Sequence, residues 1–148
     1  MIYFIIFAVI FADQFSKYLI LNNLDFGQII PVFTGFNLVF VLNKGVSFSL
    51  FSNDNALTPW ILTAITIVIV LFLFRWIKNE KTPLSRLALA LVIGGAIGNI
   101  IDRIRFGGVV DFLDFYCYIY HWPAFNIADS AVCVGAFLLI YDKLKKGK

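Results

Sequence analysis

The sequence predicts an all-α membrane protein. It reads as four transmembrane helices with a small extracytoplasmic β element between the first and second. Three observations carry this reading. Of 148 residues, 61% are hydrophobic and 14% charged, and the mean hydropathy is +0.89. A soluble domain holds roughly 45–50% apolar and about 25% charged residues, and a chain this small cannot hide the excess from water. Stretches of bilayer length recur along the chain, and the basic residues gather at particular joints between them. A soluble enzyme, a disordered chain and a disulfide scaffold are excluded. The length fits one integral-membrane domain over residues 1–148.

The first span covers residues 3–21 and carries Asp13 and Lys17 in its second half. No basic segment precedes its apolar core and no small-x-small site follows, so it reads as a retained span rather than a cleaved signal peptide. Residues 22–55 form the outer β element. Within it 36–42 is β-branched and aromatic, Asn43-Lys44-Gly45 is a turn signal, and 46–51 alternates again, which predicts a β-hairpin. Residues 56–74 are uncharged; at about 1.5 Å per residue they cover roughly 28 Å, the hydrocarbon core. The third span is 84–102 and the fourth 123–141, interrupted only by Asp129. Between them, 103–122 reads as an outer loop whose aromatics, Phe106, Phe112, Phe115, Tyr116, Tyr118, Tyr120 and Trp122, suit the membrane interface.

Orientation follows from lysine and arginine. Arg75, Lys78, Lys81 and Arg86 flank the second joint, and Lys143, Lys145, Lys146 and Lys148 follow the fourth span. That side is cytoplasmic, and parity places both termini there. Asp13, Asp102, Asp111, Asp114 and Asp129 then collect near the outer surface, with Asp129 roughly 9 Å along its helix from the outer end.

A carboxylate in a span is costly and marks a functional site by default. Asp13 has Lys17 at i+4, a pair that offsets its own cost. Asp102 precedes Arg103 and can cap its helix or hold a salt bridge. Asp114 reads as a solvated loop residue. Asp129 has no basic neighbour and is the strongest functional candidate. Asn99-Ile100-Ile101-Asp102 and Asn126-Ile127-Ala128-Asp129 repeat one pattern, placing amide and carboxylate on one helix face. Read alone, this pattern pairs Asp102 with Asp129. Gly94 and Gly98 form a G-x-x-x-G, a sign of close helix packing.

His121 is the only histidine, and Cys117 and Cys133 lack ligand spacing, so no metal site is expected. No phosphate loop or dinucleotide fingerprint occurs, and neither a cofactor nor nucleic acid is expected. Two neighbouring aspartates suit acid–base hydrolysis, in which a shared proton lets one carboxylate activate water while the other polarises a carbonyl. The same physics permits a small proton-coupled carrier with Asp129 as its relay.

Five blocks in order carry a resemblance: Asp13-Gln14-Phe15-Ser16-Lys17; Asn43-Lys44-Gly45-Val46-Ser47-Phe48; Gly94 through Arg103; Val109-Val110-Asp111-Phe112; and Phe125-Asn126-Ile127-Ala128-Asp129-Ser130. The chain resembles bacterial lipoprotein signal peptidase, also called signal peptidase II, over nearly its whole length. The resemblance implies an aspartyl endopeptidase that cleaves diacylglyceryl-modified prolipoproteins just before the lipidated cysteine. It implies Asp111 and Asp129 as the dyad, displacing Asp102 to a supporting role with Asn43, Gly45, Asn99, Arg103 and Asn126. Asp13 and Lys17 are then structural. A monomer in the bacterial cytoplasmic membrane, in contact with lipid, is expected, its site near the outer leaflet. The hairpin block often reads Asn-Thr-Gly-Ala-Ala-Phe in that family, so Lys44, Val46 and Ser47 are departures.

Overall fold

The computed structural model describes residues 1–45 and 57–146. Its axis is a helix rich in small residues, α3 (Pro83–Phe106), set among α1 (Ile2–Asn23), α2 (Thr58–Asn79) and α4 (Ile127–Lys146). α3 packs against all three other helices. Glycines make this possible. A Cβ at Gly94 would lie 2.9 Å from Val9 Cβ of α1, and one at Gly95 would collide with the Ala128 carbonyl of α4. The packing role expected of Gly94 and Gly98 is therefore observed.

Apolar residues from three helices form the main core: Ile6 of α1, Val70, Leu73 and Ile77 of α2, and Leu89, Ala90 and Ile93 of α3. The outward faces are apolar too. Phe7, Phe11 and Phe15 stack along α1 and stay exposed, as do Val68, Leu71 and Phe72 of α2. Polar side chains such as Asp13, Lys17 and Asp102 lie inside instead. Apolar outside and ionic inside is the arrangement lipid demands. Among the described residues α1, α2 and α3 are long and apolar enough to cross a membrane, and the chain is a multi-pass membrane protein.

Four strands, β1 (Ile29–Phe33), β2 (Phe36–Asn43), β3 (Val109–Cys117) and β4 (Tyr120–His121), form one sheet in that order, each pair antiparallel. The strand expected at 36–42 is present, but the hairpin is different. β2 turns back through Gly35 (φ 96°) onto β1, while the expected second strand, 46–51, lies outside the described residues. The expected outer loop at 103–122 is corrected further. α3 runs on to Phe106, Gly107 closes it in the left-handed region (φ 68°), and the chain returns as β3 beside β2. Its hydrogen bonds go to β2 because backbone groups near the bundle need partners water cannot supply. Phe112 is accordingly buried beside Ile20 and Val110 rather than interfacial. Asp114 is no solvated loop residue: it is buried, opposite Asn37, whose Nδ2 donates to it at 2.8 Å.

α4 begins four residues later than the predicted span. Asn126 caps it, its Oδ1 accepting the Asp129 N–H at 2.8 Å. Asp129 therefore stands in the first helical turn, not partway down the span as expected.

Candidate active site

α1 brings Asp13, Gln14 and Lys17 to one inward face. Lys17 is 2% exposed, and its Nζ lies 2.8 Å from Asp13 Oδ2, one turn earlier on the same helix. It lies equally close, 2.8 Å, to Asp102 Oδ2 on α3, and donates to Asn99 Oδ1 at 3.2 Å. Gln14 Nε2 donates to Asp102 Oδ1 at 2.9 Å. The expected Asp13–Lys17 pair is thus present, and Asp102 is bound into it. Gly98 leaves room for this group, since a Cβ there would lie 2.6 Å from Asp13 Oδ2.

Both carboxylates reach beyond the ion cluster. Asp102 Oδ2 accepts the Val110 N–H at 3.0 Å where β3 begins. Asp13 Oδ1 accepts the Ala128 N–H at 2.9 Å where α4 begins. An otherwise unpartnered amide at a helix N-terminus gains both an acceptor and a favourable charge.

The next residues in sequence are Asp111 and Asp129. Asn126 ties them together: its Nδ2 donates to Asp111 Oδ1 at 2.7 Å while its Oδ1 holds the Asp129 N–H. Asn99 Nδ2 donates to Asp129 Oδ1 at 2.8 Å. Asn43, at the end of β2, donates through Nδ2 to Asp111 Oδ2 at 3.0 Å and accepts the Gly45 N–H on Oδ1 at 2.9 Å. Because the oxygens of Asn43 and Asn126 face backbone N–H groups, both amides must turn their donors toward Asp111. Gly45 has φ 94°, and a Cβ there would lie 2.5 Å from Leu62 Cδ1 of α2. Among the described residues no buried side-chain polar atom lacks a partner, which lets so polar a cluster persist inside the bundle.

The two aspartates differ in environment. Asp111 is 2% exposed, whereas Asp129 is half-buried. Burial pushes the Asp111 carboxyl up to about 7. The Asn43 donor opposes this shift, the Asp129 charge adds to it, and Asn126 and Lys17 oppose it more weakly. Half-buried Arg103 lies near enough for its charge to act on Asp129, Asp102 and Asp111. A cavity of about 400 Å³ opens beside Asp111, lined by Val41, Leu42, Asn43, Lys44, Pro123 and Ala124. Its walls are largely aliphatic, with Asn43, Lys44 and Asp111 as their polar members.

The structure thus brings Asp13, Lys17, Asn43, Asn99, Asp102, Asp111, Asn126 and Asp129 into one hydrogen-bonded cluster, with Gly45 and Arg103 beside it. Sequence reasoning assigned no role to Gln14. It also missed the Asn37–Asp114–His121 group at the far end of the sheet, where His121 Nδ1 lies 2.8 Å from Asp114. The signal for Gln14 was its place one residue from Asp13, on the same inward arc of α1. Among the described residues no three His, Cys, Asp or Glu side chains converge as metal ligands would.

This arrangement has close relatives. A lipoprotein signal peptidase of Shewanella pealeana is 45% identical over 148 residues, covering 99% of this chain and 87% of that one. One from Cupriavidus necator is 46% identical over 140 residues, covering 93% and 79%. A bacterial membrane enzyme solved by the in meso method at 2.3 Å resolution superposes with a TM-score of 0.87 at 31% identity, over 99% of this chain and 89% of that one. The family model for signal peptidase (SPase) II matches residues 5–145. The chain belongs to the signal peptidase II family.

Proposed function

We propose that Asp111 and Asp129 are the catalytic dyad of this enzyme, a signal peptidase II aspartic protease that removes the signal peptides of lipoproteins. The observation that carries the dyad is Asn126, which holds the carboxylate of one aspartate and the backbone of the other. The Asp129 charge also acts on Asp111, and two neighbouring carboxylates do not both ionise readily. Asp111, buried and raised to about 7, is the group that keeps its proton. Asp129, half-buried and held by Asn99, is the base.

Asp129 takes a proton from water as the water oxygen attacks the scissile carbonyl. Asp111 donates its hydrogen bond to that carbonyl oxygen, stabilising the charge that develops there. The tetrahedral intermediate collapses as the Asp129 proton passes to the leaving amine. Asn43, Asn99 and Asn126 orient the carboxylates, and Arg103 supplies compensating charge. The substrate is a diacylglyceryl-modified prolipoprotein cut just before the lipidated cysteine, its flanking peptide seated against the aliphatic cavity wall.

α4 completes a four-span topology. Between Asp129 at its mouth and Asp142 at its far end it carries no charge. Ser85 Oγ donates to Asp142 at 2.6 Å and joins that end to the start of α3. The basic joints make that side cytoplasmic, with both termini, so the dyad lies near the outer leaflet of the cytoplasmic membrane and the protein works as a lipid-embedded monomer. A carrier relay belongs near mid-bilayer, and Asp129 in the first turn of α4 does not fit one.

The test is cleavage of a diacylglyceryl-modified prolipoprotein in detergent with EDTA present, by folded wild type, Asp111→Asn and Asp129→Asn. Loss of about 10²–10⁴-fold in both variants is expected. Cleavage by Asp111→Asn alone would transfer its role to Asp102.

A further inference from the structure

A lysine sealed inside a membrane protein needs a reason. Lys17 is fully buried, and its partners come from two helices: Asp13 on its own, Asp102 and Asn99 on α3. Removing charges from water costs several kcal/mol per ion, and apolar residues of the same volume often stabilise a core as well or better. Stability alone is therefore a poor account of this cluster. Its outer contacts supply a better one. Asp102 grips the N–H of Val110, the residue before Asp111. Asp13 grips the N–H of Ala128, the residue before Asp129. The two carboxylates that Lys17 joins are thus each fastened to the backbone one residue ahead of a dyad member.

We propose that Lys17 is a positioning residue: by drawing Asp13 and Asp102 onto one ammonium, it holds β3 and α4 at the separation that sets Asp111 against Asp129. This rests on the dyad assignment above and extends it to a group that touches neither substrate nor water. Without the cation, two buried carboxylates would repel each other across α1 and α3, and the strands of backbone they hold would part with them. Asn99 couples the cluster to the dyad a second way, accepting from Lys17 and donating to Asp129. Among the described residues the charged groups that act on Lys17 are Asp13 on α1, Asp102 on α3 and Asp111 on β3, all of opposite sign. Asp129 of α4 is linked to Lys17 through Asn99, and Arg103 of α3 acts on Asp102, Asp111 and Asp129. The Lys17 charge also favours ionisation of Asp111, so its loss makes Asp111 hold its proton to higher pH.

Lys17→Met in the full-length protein, purified in detergent, is the first experiment, assayed on the lipid-modified prolipoprotein across pH. For the folded variant kcat falls about 10–100-fold, the cost of an ångström-scale misplacement. KM stays unchanged and the pH–rate profile moves to higher pH. Folded Lys17→Met with wild-type kcat and an unmoved profile overturns the proposal. Gln14→Leu serves where Lys17→Met does not fold, since it releases Asp102 Oδ1 without altering charge. It lowers kcat about 2–10-fold at constant KM with the profile in place, and unchanged kcat in that variant likewise overturns the proposal. Asp111→Asn and Asp129→Asn run alongside. If both are dead while Lys17→Met is fully active, positioning fails and the dyad stands; if either cleaves, the dyad fails and positioning falls with it.

Discussion

Asp111→Asn should lower cleavage about 10²–10⁴-fold and, above neutral pH, make the protein more stable. The carboxyl titrates at about 7 in the folded protein against an ordinary 3.8. Below about pH 4 both folded and unfolded forms hold the proton and no cost arises. As pH rises from about 4 to 7 the unfolded chain releases it first, so the folded state loses stability. Above about 7 the loss is complete, about 4 kcal/mol from this group, at 1.36 kcal/mol per pKa unit. An asparagine has no such dependence. It does have a fixed penalty, because Asn43 and Asn126 both aim donors at residue 111 and an amide offers only one oxygen. Leaving one donor unmatched costs about 1–3 kcal/mol. The variant is therefore less stable than wild type near pH 4 and more stable near pH 8.5. The difference in Tm swings by on the order of 10 °C between those limits. Thermal unfolding of the two proteins in one detergent across a pH series measures this directly, and every shared carboxylate cancels in the comparison. A Tm difference that stays flat with pH would show that Asp111 does not carry the raised proton.

Other consequences are more local. Asn126→Ala removes both the α4 cap and the donor to Asp111, so it should cost about 0.5–2 kcal/mol in stability and lower kcat by more than that loss of folded protein explains; kcat per folded molecule decides it. Gly45→Ala must strain φ and displace Leu62, dragging Asn43 off Asp111. Activity should drop while the α-helical circular dichroism is retained, and an active variant would remove Gly45 from the site. Exposed Lys44 lines the cavity beside Asp111, so a lipid phosphate at the cavity would meet a cation there. Lys44→Thr should lose more activity in anionic than in neutral vesicles, and equal loss in both would refute the contact.

How much of this was readable in advance depends on what each signal measured. Hydropathy reports length and polarity, so three membrane-length helices emerge from it directly. α4 was also anticipated, but its start was not: apolarity begins at Pro123, whereas the helix begins where Asn126 can cap it. The β element shows the opposite failure. Alternation identified 36–42 as a strand, yet could not name its partners, because pairing here is decided at long range by β3, which arrives only after α3 has crossed the bundle. Reading 103–122 as a loop followed from treating aromatic richness as interfacial exposure.

The site shows why a local pattern can be right about residues and wrong about roles. The repeated Asn-x-x-Asp tetrads place Asp102 and Asp129 on equivalent helix faces and suggest a pair. In the folded chain the equivalence is broken by what each oxygen already holds. Both oxygens of Asp102 are engaged, by Lys17 and the Val110 N–H on one side and by Gln14 on the other, and the residue is fully buried. Asp129 keeps solvent access at the head of α4. Asp111 carries no tetrad, since it sits on a strand, and its neighbours Asn43 and Asn126 are 68 and 15 residues away in sequence. No window along the chain contains that neighbourhood. The resemblance supplied Asp111, and the geometry supplies the reason: of the buried carboxylates in this cluster, Asp111 alone lines the cavity, and among the described residues no cation touches it.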